Sequence, residues 1–154
     1  MMEAISLSGK GLYLKPYKKG LGLYLKQKKP IEMLPKRALT NVDILEFGRK
    51  YLKNFRGVFM RDNLPKKPWK HECGIINLDN STGDCTHWAA YDKNVNNTQY
   101  FDSFGNLQPP LEVMKYLVDE LYYNYNQYQN FNTYNCGHLC LSFLSKNLEK
   151  QYNI

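Results

Sequence analysis

Between residues 73 and 102, three short apolar runs are separated by clusters of turn-forming residues. Cys73-Gly74-Ile75-Ile76-Asn77-Leu78 is followed by Asp79-Asn80-Ser81-Thr82-Gly83. Thr86-His87-Trp88-Ala89-Ala90-Tyr91 comes next, then the turn Asn94 to Asn97, then Gln99-Tyr100-Phe101-Asp102. Asn, Asp, Ser and Gly favour turns because their side chains bond local backbone or tolerate left-handed dihedrals. Parallel neighbours need crossovers of about a dozen residues, and these loops are too short for that. The spacing therefore predicts an antiparallel meander of three strands.

Helices flank it. Thr40-Asn41-Val42-Asp43 offers a hydroxyl or amide cap and an acid in the first turn. Ile44, Leu45, Gly48, Tyr51, Leu52 and Phe55 then recur at helical spacing, which predicts a helix over 41–55. Pro109-Pro110 suits a first turn and predicts a second helix over 110–123, with Leu111, Met114, Leu117, Val118 and Leu121 as its stripe. A third begins near Cys136 and carries Leu139, Cys140, Phe143, Leu144 and Leu148 on one face. Residues 61–70, with Pro65, Pro68 and three lysines, and the Tyr/Asn/Gln-rich residues 122–135 read as loops. The fold class is α+β, with a central, mostly antiparallel sheet.

Charge divides the chain. Residues 1–70 carry 17 Lys/Arg against 5 Asp/Glu, and residues 71–154 carry 4 against 9. A basic front and an acidic rear suggest two jobs, attachment to something anionic and separate chemistry. Within the front, Gly9-Lys10-Gly11-Leu12-Tyr13-Leu14-Lys15 is echoed by Gly20-Leu21-Gly22-Leu23-Tyr24-Leu25-Lys26. Two copies do not make a solenoid. Residues 1–35 are expected to be a flexible basic arm and residues 36–154 the folded domain, because Gly, Pro and Lys weaken helices and central strands there. No apolar run approaches the roughly 20 residues of a membrane helix. Met1-Met2-Glu3-Ala4-Ile5-Ser6 lacks a basic region followed by an apolar one, so the expected location is intracellular and the four cysteines are expected to be reduced.

Three residues stand out by placement. His87 is expected in a strand, Asp102 ends the next one, and Cys136 opens a helix and is followed by Gly137. A thiolate is the nucleophile of thiol proteases, and a helix N-terminus with a neighbouring imidazolium stabilises it. The imidazole then protonates the leaving amine, and a carboxylate orients the ring. A glycine after the nucleophile leaves room for substrate backbone.

Thr86-His87-Trp88, then Tyr100-Phe101-Asp102-Ser103-Phe104-Gly105, then Gln129 seven residues before Cys136-Gly137, resembles the adenovirus maturation proteases (adenain), relatives of the SUMO-specific proteases. The resemblance covers roughly residues 70–148 and implies a papain-like, adenain-like cysteine protease fold. By it His87 is the general base, Asp102 its orienting acid and Cys136 the nucleophile. Gln129 and the Cys136 backbone N–H form the oxyanion hole, and Trp88 walls the cleft. The acid is Asp, as in the SUMO proteases, where adenain has Glu. The resemblance further implies cleavage of viral structural precursors at small-residue, Gly-containing motifs in the host nucleus or cytoplasm and in the virion. It requires no cofactor and makes DNA or a peptide a candidate activator. Leu7-Ser8-Gly9-Lys10-Gly11 fits such a motif, so self-processing between Lys10 and Gly11 is an expectation.

Three other readings compete. A ubiquitin-like-modifier protease of the same superfamily shares the triad. A non-enzymatic basic capsid or nucleic-acid-binding protein would use the arm on phosphates, with the tyrosines among the lysines of residues 12–26 available for base stacking. A zinc site could draw on the mirrored pairs His71/Cys73 and Cys85/His87, since i and i+2 share a strand face.

Overall fold

The computed structural model describes residues 29–83, 86–117, 120–146 and 148. A 3-10 turn, Pro30–Met33, leads into helix α1, Asn41–Tyr51. Strand β1 is Phe55–Met60, β2 Glu72–Asn77, β3 Trp88–Lys93 and β4 Thr98–Asp102. Helix α2, Leu111–Leu117, leads to the short strand β5, Leu121–Tyr123, and helix α3 is Cys136–Leu144.

The three expected strands pair as a meander, β2 with β3 and β3 with β4, both antiparallel. Two further strands join its edges in parallel, so the sheet is mixed rather than mostly antiparallel, with order β1-β2-β3-β4-β5. The helix expected over 41–55 takes in only Phe55 of β1, whereas the helix expected over 110–123 takes in all of β5. Helix α1 stops at Tyr51, its C-cap Leu52 is extended, and Asn54 turns with φ 57°, so Phe55 starts a strand. Helix α2 likewise ends at Leu117, short of Leu121 in β5. The proline-bearing loop 61–71 carries the chain between β1 and β2, and α2 lies on the crossover between β4 and β5. Parallel pairing needs such crossovers.

The start of α1 follows its sequence. Thr40 Oγ1 accepts from the Asp43 N–H at 3.2 Å, and Asp43 Oδ2 accepts from the Thr40 N–H at 2.8 Å. Arg37 grips both carboxylate oxygens of Asp43, at 2.6 and 3.1 Å. That guanidinium holds the Asp43 carboxyl well below the usual carboxylate range.

Alternation along the strands builds a core on each face of the sheet. Ile75, Ala90 and Phe101 face α1 and α3, where Ile44, Phe47, Leu139, Cys140 and Leu144 pack. Ile76, Ala89, Tyr91 and Tyr100 face α2, where Val113, Tyr116 and Leu117 pack. Glu72 is buried among the α2-side residues. Its Oε1 accepts from the hydroxyls of Tyr91 and Tyr116, each at 2.6 Å. Its Oε2 accepts from the Trp69 N–H at 2.6 Å and lies 3.5 Å from Arg56 Nη1. A charge in the interior persists only when its oxygens are satisfied in this way.

The described end of the expected arm is packed on the domain. Ile31 is buried, and the Pro35 carbonyl accepts from His138 Nε2 of α3 at 2.7 Å. Residues 1–28, which hold the repeat and the expected self-processing site, lie outside the described residues. No helix among the described residues is long and apolar enough to cross a membrane.

Candidate active site

The β3–β4 hairpin places the imidazole. Ala89 pairs with Asp102, and His87 stands two residues before Ala89, so both side chains lie on one face. His87 therefore sits just ahead of β3 rather than within it, although its carbonyl still accepts from the Leu78 N–H at 2.9 Å. His87 Nε2 lies 2.9 Å from Asp102 Oδ1, and the carboxylate makes Nε2 the donor.

Asp102 is held from several directions. Its Oδ1 also accepts from the Phe104 N–H at 2.9 Å. Its backbone N–H donates to Asn124 Oδ1 at 2.9 Å, and its carbonyl accepts from Asn124 Nδ2 at 2.7 Å. Its Oδ2 is buried with no hydrogen-bond partner among the described residues. The following turn closes with the Gly105 N–H on the Asp102 carbonyl, at 3.0 Å. Gly105 has φ 75°, and a Cβ there would lie 2.5 Å from the Asn126 carbonyl oxygen. Glycine is what this turn requires.

Cys136 arrives from the other side of the sheet as the first residue of α3, 8% exposed. No side chain caps this helix. Burial pushes the thiol up, but a hydrogen bond to the His87 ring and the backbone N–H groups of Trp88 and Gly137 pull it down. The result lies below the ordinary thiol value. Burial pulls the His87 imidazole down, whereas its bonds to Asp102 and Cys136 push it up, and the balance is about 9. The other described cysteines go the opposite way. Burial pushes Cys73 up to about 12 and raises Cys140 well above an ordinary thiol. Electrostatics thus singles out Cys136 as the described cysteine suited to attack.

Around this pair opens a cleft of about 430 Å³. Trp88 lines it and donates its indole N–H to the Leu39 carbonyl at 3.3 Å, which ties the wall to the segment before α1. Gln129 lines it too, almost fully buried. Its Oε1 accepts from Ser103 Oγ at 2.5 Å, and its Nε2 donates one hydrogen to the Thr133 carbonyl at 2.9 Å. An amide nitrogen carries two hydrogens, so one remains for a ligand. Neighbouring amides lie outside the lining of the cleft. Gln127 Nε2 donates to the Gln129 carbonyl at 2.7 Å, and Asn130 is exposed.

Gly137 also has a packing role. A Cβ there would lie 3.1 Å from Leu39 Cβ and 3.5 Å from Ile44 Cδ1. Its bare α-carbon lets α3 pack against the chain entering α1.

Several lining residues carried no assigned role in the sequence. Ala38, Leu39 and Tyr134 line the cleft. Phe104 stacks on the His87 ring, with centroids 4.5 Å apart and planes at 16°. Phe131 stacks in turn on Phe104, at 5.1 Å and 24°. Phe104 lay within the Asp-x-Phe-Gly motif, which was the one signal available. Phe131 and Tyr134 lay in a stretch that composition marks only as loop.

The residues of the zinc reading point elsewhere. His71 Nδ1 lies 3.2 Å from Asn94 Oδ1, the Cys73 thiol lies 3.5 Å from the Lys53 carbonyl, and His87 is paired with Asp102. Cys85 lies outside the described residues, among which no group of three or more His, Cys, Asp or Glu could hold a metal ion.

A scan against protein-family models finds no match, and a search of curated proteins finds none either.

Proposed function

We propose that this chain is a cysteine endopeptidase, working through Cys136, His87 and Asp102. One observation carries the reading: Cys136 and His87 line one cleft, His87 Nε2 lies 2.9 Å from Asp102 Oδ1, and the neighbouring ring holds the buried thiol below its ordinary pKa. The Cys136 thiolate attacks the peptide carbonyl carbon, and the oxygen takes up the negative charge. The free N–H of Gln129 and the Cys136 backbone N–H stabilise that charge. The His87 imidazolium gives its proton to the departing amine as the C–N bond breaks, leaving a thioester on Cys136. His87 then takes a proton from water, whose oxygen attacks the thioester and releases the acid and the thiolate. No step calls on a metal or an organic cofactor.

The resemblance directs the substrate reading towards viral structural precursors cut at Gly-containing motifs during virion maturation, with a SUMO-type modifier protease as the alternative. The excess of Lys/Arg in residues 1–70 supports binding to DNA, which would serve as an activator or, in a non-enzymatic alternative, as the partner itself. The test is labelling of the full chain by a peptide bearing a thiol-directed electrophile, followed by peptide mapping. Wild type is expected to be modified at Cys136 alone, with the reaction lost in Cys136→Ala and strongly slowed in His87→Ala. Modification at Cys73, Cys85 or Cys140 overturns the reading.

A further inference from the structure

In the proposed reaction the His87 imidazolium hands its proton to the departing amine, so the chain that leaves must run along the His87 side of the cleft. That side is paved with aromatic rings. Phe104 covers one face of the imidazole, and Phe131 stacks in turn on Phe104. Phe131 lines the same cleft as Cys136, yet it is 73% exposed. Its inner face is therefore packed while much of the rest of the ring meets solvent. Tyr134, 58% exposed, also lines the cleft. No Lys, Arg, Asp or Glu is among the described residues that line it.

A large apolar ring left in water beside a reacting centre gains free energy when a substrate group covers it. An extended peptide advances about 3.3 Å per residue, so a ring one plate beyond Phe104 is within reach of the first few residues past the cut. We propose that Phe131 is a specificity-determining residue on the leaving-group side, where it takes an aromatic or branched apolar side chain one to three residues after the cut bond. Acidic and basic side chains are disfavoured there because they lose hydration and find no opposite charge. The inference rests on the endopeptidase reading and adds to it the chemistry of the substrate's primed half.

The test uses the full chain on an amine-blocked mixture of tryptic peptides, with the newly exposed N-termini sequenced by mass spectrometry. Wild type is expected to produce termini enriched several-fold in Phe, Tyr, Leu and Ile within their first three positions. Phe131→Ser is expected to lose this enrichment and Phe131→Tyr to keep it. On one synthetic peptide carrying Phe at the preferred position, Phe131→Ser should lower kcat/KM about three- to tenfold, what an aromatic pair is worth. On the matching Ser peptide the loss should be smaller. Unchanged enrichment in Phe131→Ser, or cutting by wild type without enrichment, overturns this inference alone. Failure of wild type to cut any peptide overturns the endopeptidase reading and this inference with it.

Discussion

Asp102 Oδ1 accepts two hydrogen bonds at 2.9 Å, one from His87 Nε2 and one from the Phe104 backbone N–H, while the Phe104 ring stacks on the same imidazole. One turn after β4 therefore fixes both the direction and the plane of the His87 ring. The opposite ring nitrogen is left for Cys136.

Loss of Asp102 should be felt through the imidazole. Asp102→Asn is expected to lower kcat by about 10²- to 10⁴-fold, because an amide in this position favours the wrong tautomer. Cys136→Ala should abolish turnover while leaving the circular dichroism spectrum unchanged. Steady-state kinetics on a cleaved peptide check both.

Gln129 should act on kcat more than on KM. Gln129→Ala removes the one cleft amide with a hydrogen to spare and is expected to cost about 10²- to 10³-fold in kcat. Gln127→Ala, which removes only a support for the Gln129 carbonyl, should cost much less. The ratio of the two effects, measured on one substrate, is the check.

The pH dependence follows from two opposed shifts. Acyl transfer needs Cys136 ionised and His87 protonated. The Cys136 limb should therefore lie below the ordinary thiol value, and activity should decline as pH rises through about 9. The same shift predicts a stability effect. His87 binds its proton more tightly folded than unfolded, so its contribution is fully present below about pH 6.5 and is lost between there and about 9. Chemical denaturation across this range should show the decline in wild type and a flatter curve in His87→Ala.

Glu72 is the main stabilising feature that pattern alone could not reveal. Glu72→Ala strands the hydroxyls of Tyr91 and Tyr116 and leaves Arg56 without its acid, and is expected to cost about 3 kcal/mol or more. Urea unfolding measures it.

How far the sequence could be read depended on the distance over which each feature is encoded. The meander was legible because each strand and its turn are local. Helix α1 was legible at its start, where Thr40 and Asp43 cap each other within four residues, but not at its end. The apolar stripe runs on through Leu52 and Phe55, whereas the backbone leaves the helix at extended Leu52 and turns at Asn54 in a left-handed conformation. Strands β1 and β5 were missed because their partners come from crossovers that no local pattern encodes. His87, Asp102, Gln129 and Cys136 were legible as motifs in order, and the fold brings His87, Gln129 and Cys136 to one cleft with Asp102 buried behind His87. The stack of Phe104 on Phe131 was not, since it joins residues 27 apart through a loop whose composition marks it only as polar.

The central claim is that the sulfur of Cys136 is ionised at rest because His87 holds it so. The most direct measurement is a pH titration of the ultraviolet thiolate absorbance, taken as the difference between wild type and Cys136→Ser. The account predicts a midpoint below the roughly 8.5 of a free thiol, which moves upward in His87→Ala. A midpoint at or above the free value in wild type, unmoved by loss of His87, would contradict it.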